Sequence, residues 1–101
     1  YRWIVFKKGN EWIAAALEFN IIIVADDPNV AFVEMQEAAK GYIESALRLK
    51  GFRPKAITPA LNQKPEEEYE RLWNEARKLK KDRMEFPKNV FDLGIRNMAI
   101  V

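Results

Sequence analysis

Carboxylates are the side chains of this sequence whose type and spacing could support catalysis, because it contains neither histidine nor cysteine. Glu18 precedes an apolar run, and Asp26 and Asp27 follow it. Several carboxylates that converge on two metal ions about 3.5–4 Å apart would make a metal-dependent hydrolase. Adjacent aspartates at a strand end point in different directions, however, and an aspartate before a helix typically caps its first turn. We therefore interpret Asp26 and Asp27 as helix caps and Glu18 as a solvated carboxylate.

Other reactive groups are sparse. Ser45 and Thr58 are the single serine and the single threonine, and without histidine neither belongs to a Ser–His type of site. The four glycines are scattered, so the sequence has no phosphate-binding glycine loop. We expect no catalytic, metal-binding or cofactor-binding residue, and hence no enzyme.

The composition is that of one globular domain of 101 residues, 49% of them hydrophobic. Charged residues make up 32%, but the formal net charge is only +2, which argues against general binding to polyanions. The sequence has neither an apolar run approaching the ~20 residues of a membrane span nor a signal-peptide pattern. We expect a cytoplasmic protein that does not contact a membrane.

Three strands and a helix are predicted for the first half of the chain. Residues 1–7 and 20–25 are rich in β-branched and aromatic side chains, and residues 11–17 follow a link of hairpin length. Such short links favour an antiparallel meander. In residues 28–50, apolar side chains recur at three- and four-residue steps, with proline first and basic residues last. The prediction is an α+β fold in which this long helix covers one face of a three-stranded sheet.

The second half is predicted to contain a short extended segment and a second helix. Residues 65–83 begin with glutamates and end with lysines and arginines, which complements the helix dipole at both ends. Residues 95–101 are predicted to form an edge strand. This pattern divides the chain into a domain over residues 1–57, a proline-containing linker over 58–64, and an arm and tail over 65–101. The arm is expected to pack on the domain or on a partner subunit.

Two apolar groups are candidates for partner binding. Tyr69, Leu72 and Trp73 lie on the apolar stripe of the second helix, where Trp73 either packs on its own domain or anchors a partner. Ile21 and Ile23 belong to a run that is more apolar than a strand covered on one face requires. Basic residues at the end of the second helix are weaker candidates for nucleic-acid binding, against the alternative of a solvated helix end. They are Arg77, Lys78, Lys80, Lys81 and Arg83.

Three segments at consistent spacing resemble the HicB-like antitoxin family. They are EWIAAALEFN, ADDPNVAFVEMQEAAKGYIES and GFRPKAI, within a resemblance that covers about residues 4–57. The resemblance implies a β-β-β-α, partial RNase H-like fold and a domain that binds and masks a small RNA-cleaving toxin. A three-stranded sheet covered by one helix leaves a sheet face and edges open for self-association, so we also expect a homodimer. Enzymes of RNase H-like fold carry a carboxylate on the first strand, whereas residues 1–7 contain none.

The sequence therefore predicts a non-catalytic interaction module resembling a HicB-type antitoxin domain. Antitoxin members commonly carry a DNA-binding segment after the domain, and none can be mapped onto residues 65–101. The first alternative is accordingly a structural or regulatory homodimer of this fold without a toxin partner. The second alternative is a nucleic-acid-binding protein that uses the basic helix end.

Overall fold

The computed structural model describes residues 1–50, 63–82 and 89–96, which form one antiparallel sheet and two long helices. In chain order the elements are β1 (Arg2–Lys8), β2 (Glu11–Ala16), a 3-10 turn (Leu17–Phe19), β3 (Ile21–Ala25), α1 (Pro28–Lys50), α2 (Glu67–Lys81) and β4 (Val90–Ile95). The α+β class and the antiparallel meander are confirmed. The sheet has four strands in the order β3-β2-β1-β4, however, and not the three that the sequence predicted.

The additional strand, β4, pairs antiparallel with β1, with Ile4 opposite Leu93. The edge strand predicted for residues 95–101 overlaps β4 only at Ile95, and the rest of that prediction lies outside the described residues. Asp92 and Gly94 belong to types that are depleted in strands, so local propensity argued against a strand at this position. Pairing with β1 and burial of Val90 and Leu93 beneath α2 outweigh that propensity.

Two tight links keep the first three strands adjacent. Gly9 has a positive φ of 64° in the β1–β2 hairpin, a conformation that glycine adopts without steric cost. The 3-10 turn between β2 and β3 ends at Asn20, whose φ of 52° is also left-handed. Asparagine is one of the few residues that visit this region routinely, which explains how the chain reverses here without a glycine.

The two helices cover opposite faces of the sheet and build two apolar cores. One core, between the sheet and α1, contains Val5, Ala14, Ala16, Ala31, Met35 and Ala39. The other, between the sheet and α2, contains Ile4, Phe6, Ile13, Ala15, Trp73, Ala76, Val90 and Leu93. Because side chains alternate along each strand, neighbouring residues of β1 and β2 enter different cores.

The helices are offset from each other across the sheet. On its face, α1 packs mainly on β3 and β2, whereas α2 packs on β4 and β1. On the side of the sheet that α2 covers, β3 is therefore the strand least covered by the described residues. This offset decides which strand surface remains accessible.

Candidate interaction site

Asp27 caps α1, as the sequence predicted. Its Oδ1 atom accepts hydrogen bonds from the backbone N–H groups of Asn29 at 2.8 Å and Val30 at 3.1 Å. These bonds satisfy two of the amide groups that a helix leaves unpaired at its start. Asp26 is exposed beside it.

Glu18 is not a solvated carboxylate, so that interpretation was wrong. Its side chain is 15% exposed and forms a two-pronged ion pair with Arg2. Oε2 accepts from Arg2 Nη2 at 2.7 Å and from Nε at 3.0 Å, while Oε1 accepts from the Arg2 backbone N–H at 2.6 Å. These hydrogen bonds favour the charged guanidinium and raise the pKa of Arg2. Arg2 also reaches Glu70 at 3.3 Å and so ties α2 to β1.

Trp73 lies inside the chain's own core, at 2% exposure. Its indole N–H donates to the backbone carbonyl of Trp3 at 3.1 Å. The guanidinium groups of Arg2 and Arg77 lie 5.2 and 5.1 Å from the indole ring, within cation–π range. Of the two arrangements that the sequence allowed, packing on its own domain is the one in the structure.

The other two residues of the stripe also contact the sheet of their own chain. Tyr69 and Leu72 are half-buried against the core between the sheet and α2. The ring centroids of Tyr69 and Phe6 are 5.7 Å apart. Burial and the nearby carboxylates of Glu66 and Glu68 raise the pKa of Tyr69, because both disfavour the phenolate.

The four described basic residues at the end of α2 are exposed, but two of them have contacts within the chain. The ring of Trp73 covers one side of Arg77, and Lys80 Nζ lies 3.7 Å from Asp92 Oδ1. Lys78 and Lys81 are exposed, and Arg83 lies outside the described residues. Binding to nucleic acid remains a prediction that no contact in the described residues favours.

Ile21 and Ile23 are half-buried, on the face of β3 that packs against the α1 core. The exposed apolar side chains of this strand are Ile22, at 37%, and Val24, at 50%. The accessible apolar residues of β3 are therefore shifted by one position from the two that the sequence named as partner-binding candidates. Four consecutive β-branched side chains carry no alternation that could have shown which face would be covered.

The two edges of the sheet differ in how they are protected. β4 has an irregular register opposite Val5 and Phe6, and it contains Asp92. Lys80 Nζ donates to the carbonyl oxygen of Leu93 in this strand, at 3.5 Å. A bulge and edge charges are the usual means by which an edge strand avoids pairing with another chain. β3 pairs regularly with β2 along its whole length, and it contains neither a charged residue nor a proline. Within residues 1–50, 63–82 and 89–96, β3 is thus the edge without such protection.

Comparisons of the chain with protein-family models, curated proteins and solved structures find no match. Neither of the long helices in the described ranges is both long enough and apolar enough to span a bilayer.

Proposed function

We propose that this protein is a non-catalytic protein-interaction module that associates through the free edge of β3. The observation that carries the proposal is the exposure of Ile22 and Val24 on an uncharged edge strand. A strand added to such an edge gains backbone hydrogen bonds for affinity and side-chain contacts for specificity. It also removes exposed apolar surface from water, at roughly 25 cal/mol per Å².

The resemblance to HicB-like antitoxin domains supports the biological setting of this proposal. The β-β-β-α order of residues 2–50 is the order that the resemblance implies. In that setting the protein is a cytoplasmic homodimer that binds and masks a small RNA-cleaving toxin. A homodimer without a toxin partner is the alternative, and it is compatible with the same β3 surface.

Hydrogen–deuterium exchange of the β3 amides tests the proposed surface. Alternate amides of residues 21–25 are already bonded to β2, so the amides that point away from β2 are the readout. We expect these outward amides to exchange slowly either in the protein alone at high concentration or after addition of a small toxin encoded beside it. Val24→Lys should abolish that added protection, since a lysine on the paired edge opposes strand addition. Val33→Lys is the matched control, because Val33 is 51% exposed and points away from the sheet on α1. Rapid β3 exchange under both conditions would contradict the proposed surface.

Co-expression separates the toxin partner from the homodimer alone. If an adjacent reading frame encodes a small growth-arresting protein, the present chain should relieve that arrest and purify with it. An arrest that persists at full expression of the chain would contradict the masking of a toxin and favour the homodimer.

A further inference from the structure

We propose that the strand paired with β3 is β3 of a second copy of this chain, in an antiparallel arrangement with Ile23 on the two-fold axis. This inference rests on the proposed function and names the partner at the same edge. The result would be a continuous eight-stranded sheet built from two four-stranded sheets.

Symmetry determines how the two strands would face each other. Two identical edge strands that pair antiparallel are related by a two-fold axis perpendicular to the sheet, so equivalent faces of both copies lie on the same side. With Ile23 on the axis, all of β3 (Ile21–Ala25) is paired. On the uncovered face, Ile22 of each copy then lies opposite Val24 of the other. Such a cross-strand pair buries the two exposed side chains of each copy together.

Strand length selects this register over its two neighbours. Shifting the pairing by two residues in one direction leaves Val24 and Ala25 unpaired, because β3 of the second copy begins at Ile21 and the residues before it form the 3-10 turn. Shifting it in the other direction leaves Ile21 and Ile22 opposite residues beyond the end of the second copy's β3, with Asp26 beside the apolar Ile22. In the central register, Asp26 faces the uncharged Asn20 at the end of the paired segment.

The other face of the sheet offers a second contact at the same edge. Phe32 of α1 packs on Trp3 of β1, with ring centroids 4.6 Å apart. Residues two apart on a helix lie on nearly opposite sides, so Val30, 47% exposed, is on the side of α1 towards β3. Because α1 lies mainly over β3 and β2, adjacent copies would bring their α1 helices to about 10 Å, a normal packing distance. Val30 of each copy would then face the other.

The proposed contact is small. A five-residue strand spans only about 17 Å, so the interface is smaller than the ~1,600 Å² of a standard protein–protein complex. Small interfaces are typical of weak complexes, so we expect a dimer that dissociates on dilution. Sedimentation equilibrium should show this dimer in the wild-type chain and in Val33→Lys, and a monomer in Val24→Lys. Circular dichroism establishes that all three are folded. A folded wild-type chain that remains monomeric at several hundred micromolar would overturn the inference.

Cysteine cross-linking tests the register, because the chain has no cysteine of its own. Ile22→Cys and Val24→Cys chains of different mass are mixed and oxidised gently. Directly opposite residues have Cα atoms about 4.5–5.5 Å apart, within disulfide range, whereas equivalent residues of the two copies would be about 8 Å apart. The mixed disulfide should therefore form in large excess over both symmetric ones. Predominance of either symmetric product, or no cross-link, would overturn this register.

The outcomes distinguish this inference from the proposed function. β3 protection that appears only when a toxin is added, with a monomeric chain, would refute the second copy and leave β3 as the binding edge. Rapid exchange of β3 under every condition would refute both.

Discussion

Replacing Trp73 by alanine should destabilise the fold by about 4 kcal/mol. Trp73 is 2% exposed between α2 and the sheet, and removing a buried tryptophan side chain typically costs about 3–5 kcal/mol. The Trp3 carbonyl would also lose its indole donor, and a typical hydrogen bond contributes about 0.5–1.5 kcal/mol. Contacts with the guanidinium groups of Arg2 and Arg77 add further stabilisation, of roughly 0.5–1 kcal/mol each at exposed sites. These costs overlap, which is why the expected total stays near the cost of truncating a tryptophan.

Urea unfolding followed by far-ultraviolet circular dichroism measures this loss. If the free energy of unfolding falls by about 2 kcal/mol per molar of urea, the urea concentration at the unfolding midpoint should fall by about 2 M. Trp73→Phe is the matched control: it keeps an aromatic ring but lacks the N–H donor, so we expect a loss of only about 1–2 kcal/mol. If the free energy of unfolding of Trp73→Ala stays within about 1 kcal/mol of the wild-type value while the mass of the assembly falls, Trp73 anchors a partner and its assignment to the core is wrong.

Three further changes test other parts of the structure. Asp27→Ala should lower the free energy of unfolding by about 1 kcal/mol through loss of the α1 cap, whereas Asp26→Ala should change it little; equal effects in urea titrations would refute the assignment of the cap. Gly94→Ala should cost about 1–3 kcal/mol by thermal unfolding, because the added Cβ would lie 2.9 Å from the Trp3 ring; an unchanged melting temperature would contradict this close approach. The pKa of Tyr69 is raised in the folded protein, so its contribution to the free energy of unfolding is complete below pH 10 and declines as the pH rises through the folded pKa. Tyr69→Phe should therefore lose less stability in alkali than the wild type. A similar loss in both proteins would refute that role of Tyr69.

The helices were the most predictable elements, because their signals are local. The first helix was predicted over residues 28–50 and is observed over Pro28–Lys50. The second was predicted over 65–83 and is observed over Glu67–Lys81, within the usual uncertainty of helix ends. In both, a proline or acidic start and a basic end act through the few residues nearest each terminus.

The fourth strand and the ion pair of Glu18 could not be predicted in this way, because both depend on distant partners. β4 is stabilised by pairing with β1 across most of the chain length, and its Gly94 lies against the Trp3 ring. No local pattern around residues 90–95 indicates that neighbour. The partner of Glu18 is 16 residues away in sequence and approaches it only because the β1–β2 register and the 3-10 turn bring the two together.

β4 also alters the argument about where a partner binds. In the predicted three-stranded meander, β1 and β3 would both be edges, and either could accept another strand. Pairing with β4 makes β1 a central strand, and the bulge, Asp92 and Lys80 protect the new edge. The chain thus blocks strand addition at one side of the sheet while β3 keeps an uncharged edge with exposed Ile22 and Val24. Edge protection is the usual defence against unwanted pairing. In the part of the chain that the structure describes, β4 has this protection and β3 does not, so β3 is the edge where we expect association.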